Sequence, residues 1–270
     1  MSNVNLFYTS TYAIFCDSNN YHMRKLNLIL ALIVLSLLLL SAASIAFAQS
    51  TKKTLELSEF KSIYVNSNYT VYLKQTNKQE VNVEADPDIF SLTKIFVENG
   101  ILMINVDRKP DNPNKSIWSK IDDIKLKAVM KVYVSMKNIN ELQVNSGGKI
   151  VSENSIATDY VSLAVSGSGS MDIDLKGNNV KTEVSGSGTV ALKGYATSND
   201  IYISGSGSLN AFACELEKAK VKISGSGNCE VNVTQNLDAL VLGSGTIKHK
   251  GSTKEVTKKV YGSGSIDRAY

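Results

Sequence analysis

The tetrapeptide Ser-Gly-Ser-Gly recurs along the second half of the chain at nearly constant spacing. Four units carry it in full, and two later units replace the leading serine with Leu242 or Tyr261. The first glycines of the units are Gly167, Gly186, Gly205, Gly225, Gly243 and Gly262, at steps of 19, 19, 20, 18 and 19 residues. A period this regular indicates a repeat architecture, because a flexible linker has no reason to recur at constant spacing between strand-like flanks.

Apolar and polar residues alternate on both sides of every unit. The apolar positions include those two residues before and four residues after the first glycine. They are Val165 with Met171, Val184 with Val190, Ile203 with Leu209, Ile223 with Cys229, Val241 with Ile247, and Val260 with Ile266. Alternation is typical of strands with one buried face. A period of 18–20 residues is too short for a helix pair or a propeller blade, and it fits one coil of a β-solenoid.

We therefore predict an all-β fold, a parallel β-helix (β-solenoid) with coils of about 19 residues marked by SGSG turns. Equivalent strands would pair in parallel with the coils above and below, ~4.8 Å away. Asn145-Ser146-Gly147-Gly148 resembles a degraded first copy, and with it the column would be about 30 Å long. The glycines would allow positive φ and close stacking at each corner, and the serine between them would form an inward hydroxyl ladder.

Residues 49–137 contain short alternating segments without sustained helical periodicity. Asn99-Gly100 is typical of a tight turn and predicts a hairpin between residues 95–97 and 101–106. A short helical turn is compatible with residues 89–94. Residues 108–120 contain two prolines and two asparagines, which predicts a loop.

Residues 23–48 have the organisation of a secretory signal. Met23-Arg24-Lys25 is basic, Leu28 to Ala48 is almost wholly apolar, and Ala46-Phe47-Ala48 is a small-x-small cleavage site. The chain would start at the first residue of this segment, which makes residues 1–22 a misassigned extension. An uncleaved anchor is the alternative, because about 20 apolar residues can span a bilayer. The Ala-x-Ala ending and the polar sequence after it favour cleavage.

The charge balance argues against nucleic acid as a partner. Removal of residues 1–48 leaves 27 basic and 24 acidic residues, a net charge of +3. The two signs are interspersed, and no basic block or basic stripe with interleaved aromatics is present. Contact with a membrane is expected only through the signal segment, if it stays uncleaved.

Cys214 and Cys229 are the cysteines that follow the signal segment. In an oxidising compartment two cysteines suggest a disulfide. Cys229 occupies the apolar position four residues after Gly225, whereas Cys214 lies nine residues after Gly205 in the opposite phase. A side chain that faces the core and one that faces outward would not meet, so we predict two free thiols.

Groups for catalysis are sparse after the signal segment. His249 is the one histidine there, and its inward offset favours a structural role over a Ser–His or Cys–His nucleophile. The sequence has neither clustered His and Cys nor Gly-Gly-x-Gly-x-Asp turns, so we predict no metal site. A strand, not a helix, follows each glycine pair, which argues against a dinucleotide fingerprint. We predict no cofactor and no catalytic residue.

One enzymatic alternative remains open, a polysaccharide-active glycosidase or lyase. Asp172 and Asp174 are outward neighbours on one predicted strand, with Cβ atoms ~6–7 Å apart. That separation is near those used by paired glycosidase carboxylates. Alternating solvated aspartates on a strand are also commonplace.

Trp118 is the candidate ligand contact. It is the single tryptophan, it lies in the polar loop 108–120, and Tyr64, Tyr69 and Tyr72 precede it in the chain. An aromatic ring in such a loop can stack on a sugar or anchor a protein partner. The alternative is that Trp118 folds back as a lid on the core.

The repeat resembles a known bacterial family. The pattern around Val221-Lys222-Ile223-Ser224-Gly225-Ser226-Gly227-Asn228, the opening residues 60–75 and the closing residues 258–266 are similar to the "putative auto-transporter adhesin, head GIN domain" family, which is common in Bacteroidetes. The likeness covers about residues 54–268. It implies a right-handed parallel β-helix, export, and an adhesin-like role, with no catalytic residues to transfer.

These observations together predict a non-catalytic protein of the cell envelope. It would be exported to the periplasm or the cell surface, where a surface glycan or a protein would be its partner. After the extension 1–22 and the signal 23–48, the chain would comprise a strand-rich part, 49–137, and the SGSG-repeat β-helix, 138–270.

Overall fold

The computed structural model describes residues 50–107 and 129–269. The predicted extension 1–22 and signal segment 23–48 lie outside this range. Within the described residues, 17 strands form one continuous sheet. No helix in these two ranges is long and apolar enough to cross a membrane.

The first nine strands and one short helix precede the full repeats. They are β1 (Thr51–Leu55), β2 (Ser62–Val65), β3 (Thr70–Gln75), β4 (Glu80–Ala85), α1 (Pro87–Phe90), β5 (Thr93–Glu98), β6 (Ile101–Val106), β7 (Met130–Met136), β8 (Glu141–Val144) and β9 (Lys149–Ser152). The repeats follow as β10 (Ile156–Gly167), β11 (Ser170–Gly186), β12 (Thr189–Gly205), β13 (Ser208–Gly225), β14 (Asn228–Gly243), β15 (Thr246–Lys250), β16 (Glu255–Tyr261) and β17 (Ser265–Arg268).

The strands stack in parallel from coil to coil. β10 to β14 pair successively in parallel, β14 continues onto β15 and β16, and β15 pairs with β17. At the other end β10 and β11 pair in parallel with β8 and β9, which in turn pair with β2 and β3. The result is a parallel β-solenoid of about 7 turns with a repeat of about 19 residues. The prediction of the fold is confirmed.

The register follows the repeat and builds one apolar column. Equivalent residues of successive coils are direct partners, and their side chains are buried. One such column is Val165, Val184, Ile203, Ile223 and Val241. A single coil could not bury this surface alone, so each coil depends on its neighbours for a core.

The two glycines of each corner are required for different reasons. Gly205 has a φ of +99°, and a Cβ there would lie 2.8 Å from the carbonyl oxygen of Gly186. Gly227 is buried, and a Cβ there would lie 2.6 Å from Cγ2 of Ile203, inside the apolar column. The first glycine therefore permits left-handed backbone and close stacking, and the second leaves room for the core.

The expected inward hydroxyl ladder is wrong. The serines between the glycines are exposed: Ser168, Ser187, Ser206, Ser226, Ser244 and Ser263. The second glycine takes the inward position at each corner, and alternation turns the preceding serine outward. The leading position also faces away from the core, which explains why Leu242 and Tyr261 replace serine while Gly243 and Gly262 keep φ values of +128° and +127°.

The first part of the chain joins the same stack through β2 and β3. The predicted hairpin is present: β5 and β6 are antiparallel, and Asn99 and Gly100 have positive φ values of 51° and 75°. The degraded copy at residues 145–148 also stacks, because Asn145 N donates to Val65 O at 2.9 Å. The predicted loop 108–120 lies outside the described residues.

Cys214 does not face outward as predicted. Its side chain is fully buried, as is that of Cys229, and the two thiols are unpaired. The coil from Gly205 to Gly225 has one extra residue, and its register against β12 shifts between Ala191 and Lys193. The bulge reverses the alternation and turns Cys214 inward.

In the last described coil, two charged side chains stand in register with buried residues, beside the partly exposed Val256 and Val260. Lys258 stands in register above the buried Ala239, and its Nζ donates to the carbonyl oxygen of Ile266 at 3.1 Å, on the adjacent strand. Arg268 stands in register above His249, and its Nη2 lies 3.4 Å from a backbone carbonyl oxygen. Cations that point into the column at a free sheet edge oppose pairing with another chain. We call Lys258 and Arg268 the terminal cap.

Substitution of Gly205 by alanine should destabilise the whole column. The Cβ would be strained by the positive φ and would crowd the carbonyl oxygen of Gly186, so we expect a loss of about 2–4 kcal/mol in the free energy of unfolding. Urea denaturation followed by circular dichroism measures this. Ser206→Ala, one residue away on the exposed side of the corner, is the matched control and should change stability little. Equal losses in both variants would contradict the corner mechanism.

Removal of the terminal cap should promote self-association. In a Lys258→Val, Arg268→Leu double variant, two more apolar side chains would join the exposed Val256 and Val260 at the open edge, so dimers or larger oligomers should appear. Sedimentation velocity at micromolar concentration measures this. Lys259→Val changes an outward side chain of the same strand in the same way and should stay as the parent protein. Association of Lys259→Val to the same extent would show that the cap has no such role.

Candidate ligand-binding groove

A polar groove runs along the solenoid at a corner other than the SGSG corner. It consists of three consecutive cavities of about 490, 430 and 470 Å³ that share their boundary residues. The first and second share Lys61, Asn138 and Asn140, and the second and third share Ala157, Thr158 and Asp159. We call the whole surface the axial groove, because it crosses successive coils.

Backbone hydrogen bonds between coils position the layers of the groove. Lys61 N donates to Gly100 O at 3.0 Å, and Asn140 N donates to Lys61 O at 2.8 Å. Ser162 N then donates to Asn140 O at 2.9 Å. This bond places residues 157–160, which precede Ser162, in the layer next to Asn140. Each layer is therefore fixed by the same parallel ladder that builds the core, and the groove has a rigid floor.

Two glutamines hold the wall of the groove and use all their amide groups to do so. Gln75 Nε2 donates to the carbonyl oxygens of Lys137 and Ala157 at 3.0 and 2.9 Å, and its Oε1 accepts from Ala157 N at 2.7 Å. Gln79 Nε2 donates to the carbonyl oxygens of residues 57 and 58, and its Oε1 accepts from Phe60 N at 3.2 Å. These side chains are structural.

Other amides of the groove remain available. The side chains of Asn77, Asn99, Asn138 and Asn140 are exposed, and none has a hydrogen-bond partner within residues 50–107 and 129–269. An amide group offers two N–H donors and a carbonyl acceptor, so these four side chains can bind neutral polar groups of a ligand.

The rest of the groove is nearly neutral and carries one exposed aromatic ring. Its charged lining comprises Lys61, Lys137, Lys176, Glu59 and Asp159. Asp159 Oδ1 accepts from Asn178 Nδ2 at 2.8 Å, which links two layers. Tyr160 lies midway along the groove with 52 % of its side chain exposed. The surface therefore combines amides, hydroxyls and a ring face without a dominant charge.

Tyr64, Tyr69 and Tyr72 do not line the axial groove. Trp118 lies outside the described residues, and its role as a ligand contact stays a prediction. Tyr69 is fully buried, and its hydroxyl lies 2.7 Å from Thr93 Oγ1. Tyr64 Oη donates to Glu141 Oε2 at 2.9 Å, and the ring of Tyr72 stacks on a neighbouring tyrosine. These three tyrosines support the fold.

Asp172 and Asp174 lie on β11 as predicted, but Asp172 already has a partner. Its Oδ1 lies 3.1 Å from Lys193 Nζ of the next coil, so this carboxylate belongs to an ion pair between coils. Asp174 contributes its backbone N–H to Ser152 Oγ at 2.8 Å. The ion pair gives Asp172 a structural role, and such ion pairs are common for partly exposed aspartates on strands.

The buried thiols are poor nucleophiles. Burial raises the pKa of Cys214 to about 12, and burial likewise raises the pKa of Cys229 far above its usual range. The thiolate, which is the reactive form, is therefore scarce at neutral pH. Within the described residues, no group of three or more His, Cys, Asp or Glu could hold a metal ion.

His249 is buried, as its inward offset predicted. Only 4 % of its side chain is exposed, and neither ring nitrogen has a hydrogen-bond partner in the described part of the chain. Burial lowers the pKa of His249, and the nearby Lys258 and Arg268 of the terminal cap lower it further. The imidazole is therefore neutral over most of the physiological range, and it fills the end of the core column.

The structure defines the protein as a parallel β-solenoid with an extended polar groove along its axis. The chain belongs to the family described as "Putative auto-transporter adhesin, head GIN domain", which matches residues 59–253. This finding confirms the family resemblance drawn from the repeat.

Solved structures share the fold. A "putative adhesin" from Bacteroides fragilis is 23 % identical, with a TM-score of 0.71 over 83 % of this chain and 98 % of its own. A "putative lipid binding protein" and a "putative adhesin" from Parabacteroides distasonis have TM-scores of 0.64 and 0.65 at 23 % and 22 % identity, each over 82 % of this chain and 97 % and 98 % of their own. No match is found among curated proteins.

Acidification should destabilise the protein through His249. The native pKa is lower than that of the unfolded chain, so below about pH 6.5 the unfolded state binds more protons and stability falls, by up to about 1.4 kcal/mol per pH unit. His249→Leu removes this contribution. The difference in the free energy of unfolding between variant and parent, measured by urea denaturation from pH 8 to pH 5, should grow in favour of the variant below pH 6.5. If the free energies of unfolding of the variant and the parent protein changed with pH in parallel, the buried neutral state of His249 would be contradicted.

Proposed function

We propose that the protein is an exported, non-catalytic binding protein with an adhesin-like role at the cell envelope, and that the axial groove is its ligand site. The observation that carries the proposal is the row of exposed, unpartnered amides on a floor fixed by the backbone ladder. A rigid site loses little conformational entropy on binding, which suits a protein that must hold a ligand and not transform it.

Two further observations support the proposal. The family description and the fold of the related structures support an adhesin-like role. The secretory features of residues 23–48 support export to the periplasm or surface, where Trp118 in its polar loop would be available as a second contact. A surface glycan or a surface protein is the partner class that follows.

The alternative is a polysaccharide-active enzyme that uses Asp172 and Asp174. The observation in its favour is the position of both carboxylates on one strand. The ion pair between Asp172 and Lys193 weighs against it, because a general acid or nucleophile must be free to act on substrate.

The purified protein should bind members of a panel of polysaccharides and matrix proteins without cleaving them. Binding is measured by biolayer interferometry, and cleavage by the release of reducing sugar ends. Cells that carry the protein should bind the same panel, and protease treatment of intact cells should remove that binding if the protein reaches the surface. Turnover by the parent protein that Asp172→Asn abolishes would overturn the non-catalytic role.

A further inference from the structure

The geometry of the axial groove points to a linear polysaccharide that lies along the solenoid axis. We propose that the sugar rings bind one per coil, with the ring of Tyr160 as the stacking surface and with Asn138, Asn140 and Asn178 as hydrogen-bonding groups. The inference rests on the proposed function, and it adds the ligand class and the direction in which the ligand lies.

The spacing of the groove matches a sugar chain. Five layers line it in order, marked by Gly100, Lys61, Asn140, Asp159 and Asn178. Successive strands lie ~4.8 Å apart, so five layers span about 19 Å along the axis. The distance between neighbouring strands, ~4.8 Å, is comparable with the length of one pyranose unit in an extended chain. A polymer with that rise can advance by one ring for each layer of the groove.

The chemistry of the lining favours sugar hydroxyls. Asp159 and Asn178 occupy the same position of consecutive coils, and Asn140 lies one coil before them, beside Glu141, which pairs with Ser162. Amides can donate to one hydroxyl and accept from another, which suits neutral hydroxyl pairs. With three lysines and two acidic residues in the lining, the groove does not select a strongly charged polymer.

The ring of Tyr160 is available for stacking, whereas the ring of the exposed Tyr202 already has a partner. Tyr160 has no side-chain hydrogen bond within the described residues, about half of its surface is exposed, and it lines the middle cavity of the groove. The ring of Tyr202, 39 % exposed and outside the groove, lies under Lys222 Nζ at 5.6 Å from its centroid. Aromatic rings bind the apolar face of a sugar by stacking, while their edges leave the hydroxyls to polar neighbours.

A protein partner fits the groove less well. Protein interfaces depend on a central cluster of desolvated apolar or aromatic side chains in a well-packed pocket. The three cavities of the groove instead offer a long series of polar groups, with Tyr160 as the one exposed aromatic ring and no central apolar cluster.

Isothermal titration calorimetry with the purified protein tests the proposal. The probes are xylan, mannan, laminarin and pectate, followed by oligosaccharides of two to eight units from whichever polymer binds. We expect affinity to rise with length up to about five units and then to level off, as five layers require. Tyr160→Ala should weaken binding by about fivefold to tenfold, and Asn140→Ala by a smaller factor. Tyr202→Ala, the matched exposed tyrosine outside the groove, should bind as the parent protein does.

The outcomes separate this inference from the proposed function. Polysaccharide binding that Tyr160→Ala leaves unchanged, or that shows no dependence on length beyond two units, would overturn the axial arrangement and leave the adhesin-like role intact. Binding to collagen or fibronectin without binding to any of the four polysaccharides would overturn the ligand class alone. Absence of binding to every polysaccharide and protein would contradict both the inference and the proposed function.

Discussion

The hydrogen bond between neighbouring SGSG corners is the interaction on which the structure depends. The carbonyl oxygen of Gly186 accepts the N–H of Ser206 at 2.9 Å, and the same oxygen is the atom that a Cβ on Gly205 would meet first. The corner can therefore close only if the residue stacked above that carbonyl is glycine. Because the parallel pairs of β10 to β14 share this arrangement, the register is restored at every SGSG corner even where a bulge shifts it within a coil, and the apolar columns beside the corners align.

The sequence predicted this architecture because a repeat records the coil directly. The spacing of the glycines fixed the coil length, and the apolar offsets fixed which side chains face the core. Two predictions were wrong where one residue changes the phase of alternation. The extra residue between Gly205 and Gly225 turned Cys214 inward, and the second glycine of each corner displaced the serine outward. A bulge has no residue type of its own, so periodicity alone does not locate it.

The polar residues of the groove were not predicted from the sequence, because the SGSG repeat is the more conspicuous pattern. Asp159 and Asn178 are 19 residues apart, like the SGSG corners, and they are equivalent positions on another corner of the coil; Asn140 lies one coil before them. A search for repeats of polar residues would have found them, although the distinction between the fully bonded Gln75 and the free Asn140 requires coordinates. The core and the axial groove are thus the inward and outward faces of the same stack of coils.

The terminal cap has a consequence for how such proteins can vary. A column of similar coils can gain or lose one coil without a change at either end. The strands that carry Lys258 and Arg268 pair only with the preceding coil, so the number of coils before it does not matter. Length then becomes a property that duplication or deletion of about 19 codons adjusts in increments of ~4.8 Å. The axial groove lies toward the first coils, away from the cap. The length of the column can therefore change while the groove stays the same.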